Sequence, residues 1–178
     1  DAPSRELERA FPTEVLGDFA LDVREPGALN ALFFTIERTG QGLGAVVDCV
    51  GPFCEEPLAA LSGTAFADVV STNLLQAFDV ARLAQPFFLA RGGGRLIYFT
   101  HAGAEKLAAY ERIAAYAAAK AGLVSLIRSL ARQWIKDGIT VNALAPGVVE
   151  SADAAQHELL PHLGGARLTT HDDLYAAL

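Results

Sequence analysis

The sequence has 178 residues, 52% hydrophobic and 20% charged, with a formal net charge of -7; its isoelectric point is near 5.0 and its mean hydropathy +0.28. That apolar content supports one sizeable core, a single domain over residues 1–178, and excludes disorder as the dominant state. No apolar run approaches the ~18 residues of a membrane span, and the acidic balance, without a Lys/Arg cluster, argues against a nucleic-acid partner.

In chain order, Phe19–Val23 reads as a short strand closed by a charged loop. Pro26 then introduces a helix pattern with Leu29, Leu32, Phe33 and Ile36 on one side. After Gly40 and Gly44, residues Ala45 to Gly51 read as a buried strand ending in a turn. Cys49 and Cys54 lie by that turn. Two cysteines make no disulfide framework, so both are read as reduced packing residues of a cytoplasmic protein. The polar, charged stretch Asp1–Ala10 is not a secretory segment.

Thr64 is the expected cap of a long helix running to about Leu89, with Phe66, Val70, Leu74 and Phe78 at i+4 spacing. Gly92, Gly93 and Gly94 break it, and Arg95–Thr100 follow as a buried strand. A second long helix is expected from Ile113 to Ile135, closed by Lys136, Asp137 and Gly138. Ile139–Ala145 form the next strand, stopped by Pro146-Gly147. Short apolar strands alternating with helices mean crossover connections and a parallel sheet covered on both faces. The fold class is α/β, open and doubly wound.

In such sheets ligands bind beyond the carboxyl ends of the strands. Tyr116 and Lys120 stand four apart at the start of the Ala-rich helix, so they share one face. A cation that close favours the phenolate, which makes Tyr116 a candidate acid/base for interconverting a carbonyl and a hydroxyl. Neither Asn73, which alone reads as a helix residue, nor Pro146-Gly147, which alone reads as a turn, would be singled out without its order relative to this pair. His157 and His162 lack carboxylates at ligand spacing, and no metal site is expected.

Tyr116-Ala-Ala-Ala-Lys120-Ala-Gly, then Ser129-Leu-Ala-Arg132, then Asn142-Ala-Leu-Ala-Pro146-Gly147, resemble the short-chain dehydrogenase/reductase family, in particular bacterial beta-ketoacyl-ACP-reductase-like members. The resemblance runs from Asp22 to about Leu178 and implies a Rossmann-type doubly wound parallel sheet. It implies an NAD- or NADP-dependent oxidoreductase interconverting a carbonyl and a secondary alcohol of a small molecule, with the NAD/NADP choice and the substrate left open. Asp22-Val23 match the residues whose carboxylate reaches the adenine, and Val50-Gly51 those along the cofactor ribose. Asn73 matches the asparagine that kinks the fourth helix and holds a water behind the lysine. Tyr116 matches the acid/base and Lys120 the residue bonded to the nicotinamide ribose. Pro146, Gly147, Val148, Val149 and Ser151 match the segment edging the nicotinamide. The two long helices imply a homodimer or homotetramer, with Ala117, Ala121 and Gly122 permitting close approach.

The sequence departs from the family at three places. Asn-Asn-Ala-Gly appears as Asp48-Cys49-Val50-Gly51, and an ionised Asp48 accepts but cannot donate. The serine that donates to the substrate oxygen is replaced near His101, with Thr100 as the other candidate donor, and a lost donor of this kind costs ~10²–10³ in rate. Finally, no glycine-rich phosphate loop precedes Asp22 and the last strand is absent, so the first βαβ unit is missing from the chain as given and, with no methionine present, an internal segment of a longer enzyme is expected. The alternative, motivated by the absent serine, is a cofactor-binding family member with little catalysis.

Overall fold

The computed structural model describes residues 20–106 and 108–147. These form helix α1 (Ala28–Arg38), strand β1 (Ala45–Asp48), helix α2 (Gly63–Val70), helix α3 (Gln76–Arg91), strand β2 (Gly94–Phe99), helix α4 (Ala114–Trp134) and strand β3 (Ile139–Leu144). The strands make one parallel sheet in the order β1-β2-β3, with Asp48 beside Tyr98 and Phe99 beside Leu144. Parallel neighbours cannot be joined by a tight hairpin, and here helices make each crossover.

Burial alternates along the strands. Leu96, Tyr98, Ile139 and Val141 are buried and pack with Ala77, Ala81, Phe88, Leu123, Ile127 and Trp134 of α3 and α4. The opposite face keeps Val47 56% and Leu144 41% exposed. The expectation of strands covered on both faces therefore holds for one face among the described residues. Helix α1 joins the same core through Phe33, whose ring centroid lies 6.0 Å from that of Phe87.

Two expected elements take a different form. Residues 20–23 are not a strand: the Asp22 carboxylate is captured by the Arg24 side chain and backbone, and Glu25 N–H closes a turn onto Asp22 C=O. Phe19 lies outside the described residues. The long helix is capped two residues before Thr64, by Ser62, whose Oγ accepts from Ala65 N–H. That helix is also not continuous α-helix, since Ser71–Leu75 form a π-helical turn between α2 and α3. A π turn inserts an extra residue and rotates everything after it. Of the expected i+4 line, Phe66 and Phe78 are exposed and Val70 and Leu74 half-buried, while Val69, Thr72, Asn73, Gln76, Ala77 and Val80 face inward. Cys49 is exposed and Cys54 half-buried, so Cys49 is not a packing residue. Gly122 admits Leu74 of the same chain, whose Cδ2 lies 2.9 Å from where a Cβ would stand.

Gly92 closes α3 in the left-handed conformation, φ 75°, and Gly94 starts β2 directly under Phe88. A Cβ on Gly94 would overlap the Phe88 ring, which is fully buried. Gly94→Ala is expected to cost about 1–3 kcal/mol by overpacking. Because the two sites touch, combining it with Phe88→Leu should cost less than the sum of the single changes. Urea unfolding of the three variants checks the coupling; strict additivity would contradict the packing described.

Candidate active site

The carboxyl ends of the strands, the π turn and the first turns of α4 converge. Lys120 is 2% exposed, and its Nζ donates to Phe99 C=O at the end of β2, 2.9 Å away. The π turn brings Asn73 to the same place, where it is 1% exposed and its Nδ2 donates to Val69 C=O and Pro52 C=O, both at 3.1 Å. Asn73 Oδ1 keeps no partner among the protein atoms. The expected kink at Asn73 is thus present as a π turn, and its side chain ties the helix to the loop after β1. Gly51 lies against both groups. A Cβ there would stand 2.5 Å from Asn73 Oδ1 and 2.6 Å from Lys120 Nζ, so only glycine fits.

Tyr116 lies one turn before Lys120, half-buried, with Lys120 Nζ 5.5 Å from its ring centroid. Phe53 stands edge-on to it at 5.1 Å and the His101 ring at 5.7 Å. Burial pushes the Tyr116 phenol above its ordinary value, without an opposing contribution from Lys120. The lowering expected from the four-residue spacing is not realised here, because the ammonium is turned onto Phe99 C=O. Burial likewise draws Lys120 below its ordinary value, opposed by the charges of Asp48 and Cys49.

The two candidate donors differ. Thr100 is buried and spends its hydroxyl proton on Leu144 C=O, 3.3 Å away. His101 Nδ1 lies 3.0 Å from Ala102 C=O, and a carbonyl only accepts, so Nδ1 carries the proton. Nε2, buried without a partner, is then an acceptor in the neutral ring and a donor only in the imidazolium. His101 and Tyr110, with centroids 5.6 Å apart, also line a cavity of about 270 Å³ walled by Gly103, Ala104, Ala114 and Ala117. Neither Tyr116 nor Lys120 lines it.

The remaining expected residues are distributed as follows. Val50, exposed, and Gly51 end the β1 loop, and Pro146-Gly147 follow β3, where Pro146 C=O accepts from Ala102 N–H at 3.0 Å. These segments border the same end of the sheet. Asp22 is exposed, and its carboxyl is held at about 2 by hydrogen bonds from Arg24; Val23 is half-buried beside it. Val148, Val149, Ser151, His157 and His162 lie outside the described residues.

Several residues of the site carry no sequence signal. Phe53 sits in an irregular loop, where neither periodicity applies. Glu55 Oε1 accepts from Arg112 Nε at 2.8 Å, and Glu56 N–H donates to Arg112 C=O, which clamps that loop to the approach of α4. Gln76, 6% exposed, faces Asp48 from the first turn of α3.

A family model described as enoyl-(acyl carrier protein) reductase matches residues 2–165. A tropinone reductase homolog of Arabidopsis thaliana is 34% identical over 135 residues, 75% of this chain and 49% of that one. The 3-oxoacyl-(acyl-carrier-protein) reductase MabA of Mycobacterium avium is 30% identical over 130 residues, 73% of this chain and 50% of its own. Among solved structures, acetoin dehydrogenase of Salmonella typhimurium superposes with a TM-score of 0.68 at 28% identity, covering 74% of this chain and 52% of that one. A 4-hydroxyisoleucine dehydrogenase, solved with NADH and succinate, gives 0.66 at 26% identity, covering 72% and 59%. The chain belongs to the short-chain dehydrogenase/reductase family. It spans about half the length of the curated relatives it matches.

Asp48 is 7% exposed; its Oδ1 accepts from Val50 N–H at 3.1 Å and its Oδ2 has no partner. Burial raises its carboxyl above the ordinary 3.8, against the pull of Val50, Gln76 and Lys120. A folded-state value above the unfolded one means that the folded protein holds this proton more tightly, so the contribution to stability is present at low pH and is lost as pH rises. Between 3.8 and the raised value, wild type is therefore expected to lose stability relative to Asp48→Asn. Thermal melts of both proteins from pH 4 to 7 measure it; parallel curves would contradict the burial described.

Proposed function

We propose that the protein is an NAD(P)-dependent oxidoreductase interconverting a carbonyl and a secondary alcohol of a small molecule. The observation that carries this reading is the convergence of Tyr116, Lys120 and Asn73 at one end of the sheet, with Gly51 pressed against them. The residues present fit a nicotinamide cofactor at its nicotinamide-ribose end. The backbone at Gly51 passes against Lys120 Nζ and Asn73 Oδ1 with no side chain between, and Lys120 has two ammonium protons beyond the one hydrogen-bonded to Phe99 C=O. Lys120, Gly51, Val50, Pro146 and Gly147 would hold that end, and the resemblance assigns Val149 and Ser151 to the nicotinamide and Asp22 and Val23 to the adenine. The cofactor, when bound, supplies the hydride.

Within this reading Tyr116 holds the proton exchanged with the substrate oxygen, and its burial keeps it in the phenol form suited to donation. Lys120 orients the ribose and brings positive charge beside the phenol. Asn73 Oδ1, buried and unpaired, is an acceptor for a water feeding the lysine. Phe53 and the Glu55–Arg112 clamp shield the phenol from solvent. The exposed Phe66, Leu75 and Phe78 support assembly as a homodimer or homotetramer, and the reduced cysteines support a cytoplasmic setting.

One observation favours a second reading, a cofactor-binding member with little catalysis. His101 turns Nδ1 onto Ala102 C=O and leaves Nε2 without a partner where the family places a donor. Turnover over a panel of small carbonyls separates the two. Tyr116→Phe is expected to abolish turnover while leaving cofactor affinity within a few-fold; undiminished turnover would refute the assignment, and wild-type inactivity on the whole panel favours the second reading.

A further inference from the structure

Asp48 and Lys120 are the only buried acid and the only buried base among the described residues, and they stand at the same end of the same sheet. Asp48 closes β1 in register with Tyr98. The next residue on β2, Phe99, is the one whose carbonyl takes the Lys120 proton. Adjacent strands lie ~4.8 Å apart, yet Asp48 and Lys120 form no direct ion pair. Asp48 Oδ2, Gln76 Oε1 and Asn73 Oδ1 are all buried acceptors without partners. This acceptor-rich end therefore faces an ammonium with two protons unspent.

The neighbouring titratable groups offer no substitute for this charge. The Tyr98 hydroxyl on β2 donates to Ala77 C=O at 2.7 Å and is pushed far above its ordinary value by burial and by Asp48. Cys49, next to Asp48, is pushed upward by burial and by Asp48, and its pull on Lys120 ranks below that of Asp48. Gln76, on α3, is uncharged. We propose that Asp48 is a positioning residue that keeps Lys120 protonated, its carboxylate supplying from β1 the negative charge that an asparagine at this position lacks. Without it, burial acts on the lysine with only the smaller pull of Cys49 against it and favours the neutral amine. The role attributed to Lys120 rests on the functional reading above, but the protonation of Lys120 does not.

The chain contains three lysines, Lys106, Lys120 and Lys136, so ¹³Cε-lysine NMR resolves each, with Lys106→Arg and Lys136→Arg for assignment. The Lys120 resonance is followed against pH in wild type and in Asp48→Asn. The expected result is a midpoint lower by about one pH unit in the variant; an unchanged or higher midpoint overturns the proposal. Should Asp48→Asn fail to fold, ¹³Cγ-aspartate labelling of the wild-type protein reads Asp48 directly. A carboxylate at pH 7 supports the proposal, and a protonated acid at pH 7 overturns it. Neither readout requires turnover, so an inactive enzyme would count against the functional reading and leave this one standing.

Discussion

A lysine ammonium buried to 2% exposure is costly in an interior unless its protons and its charge are met. Much of this half of the molecule is arranged around meeting them. The end of β2 supplies a carbonyl at 2.9 Å, the π turn brings the unpartnered Asn73 Oδ1 to the same place, and the loop after β1 passes against both with a residue that has no side chain. A side chain at Gly51 would push on Lys120 and Asn73 at once. The position of Tyr116 follows, since it is fixed one turn earlier on the same rigid helix and is braced by Phe53 and His101.

The sheet and its helices hold this arrangement in place from one side. Leu96, Tyr98, Ile139 and Val141 anchor the strands to α3 and α4, so the strand ends and the first turns of α4 cannot shift independently. The Tyr98 hydroxyl, bonded to Ala77 C=O, ties β2 to α3 one turn past the π segment. The Glu55–Arg112 pair is partly exposed and contributes little to stability by itself. Its consequence is geometric, because with the Glu56 to Arg112 backbone bond it keeps Phe53 against the phenol.

Much of the fold was legible because its signals are periodic. The strand cores at Ala45–Asp48, Gly94–Phe99 and Ile139–Leu144 and the helix Ala114–Trp134 lie within a residue or a few of the expected bounds. The family, too, was legible from Tyr116, Lys120 and the Asn142–Gly147 run, and the family model confirms it. The π turn was not legible as such. Its residues Ser71–Leu75 continue a helical pattern, and only the burial of Asn73 and Gln76 beside exposed Phe66 and Phe78 discloses the added residue. Residues 20–23 are not a strand: they lead into a turn in which Arg24 engages Asp22, and they pair with no strand among the described residues. The environment of Asp48 and the bracing by Phe53 depend on contacts between segments far apart in sequence, and no local pattern encodes them.

Lys120 joins these features, linking the sheet, the π turn and the phenol, and the account stands or falls on its being essential to the chemistry. The most direct measurement is oxidation of NADH and NADPH by wild type and Lys120→Ala with the same set of small carbonyls, with folding of the variant verified by circular dichroism. The account predicts turnover by wild type with at least one carbonyl and its loss in a folded Lys120→Ala. A folded variant that turns over at the wild-type rate would contradict it.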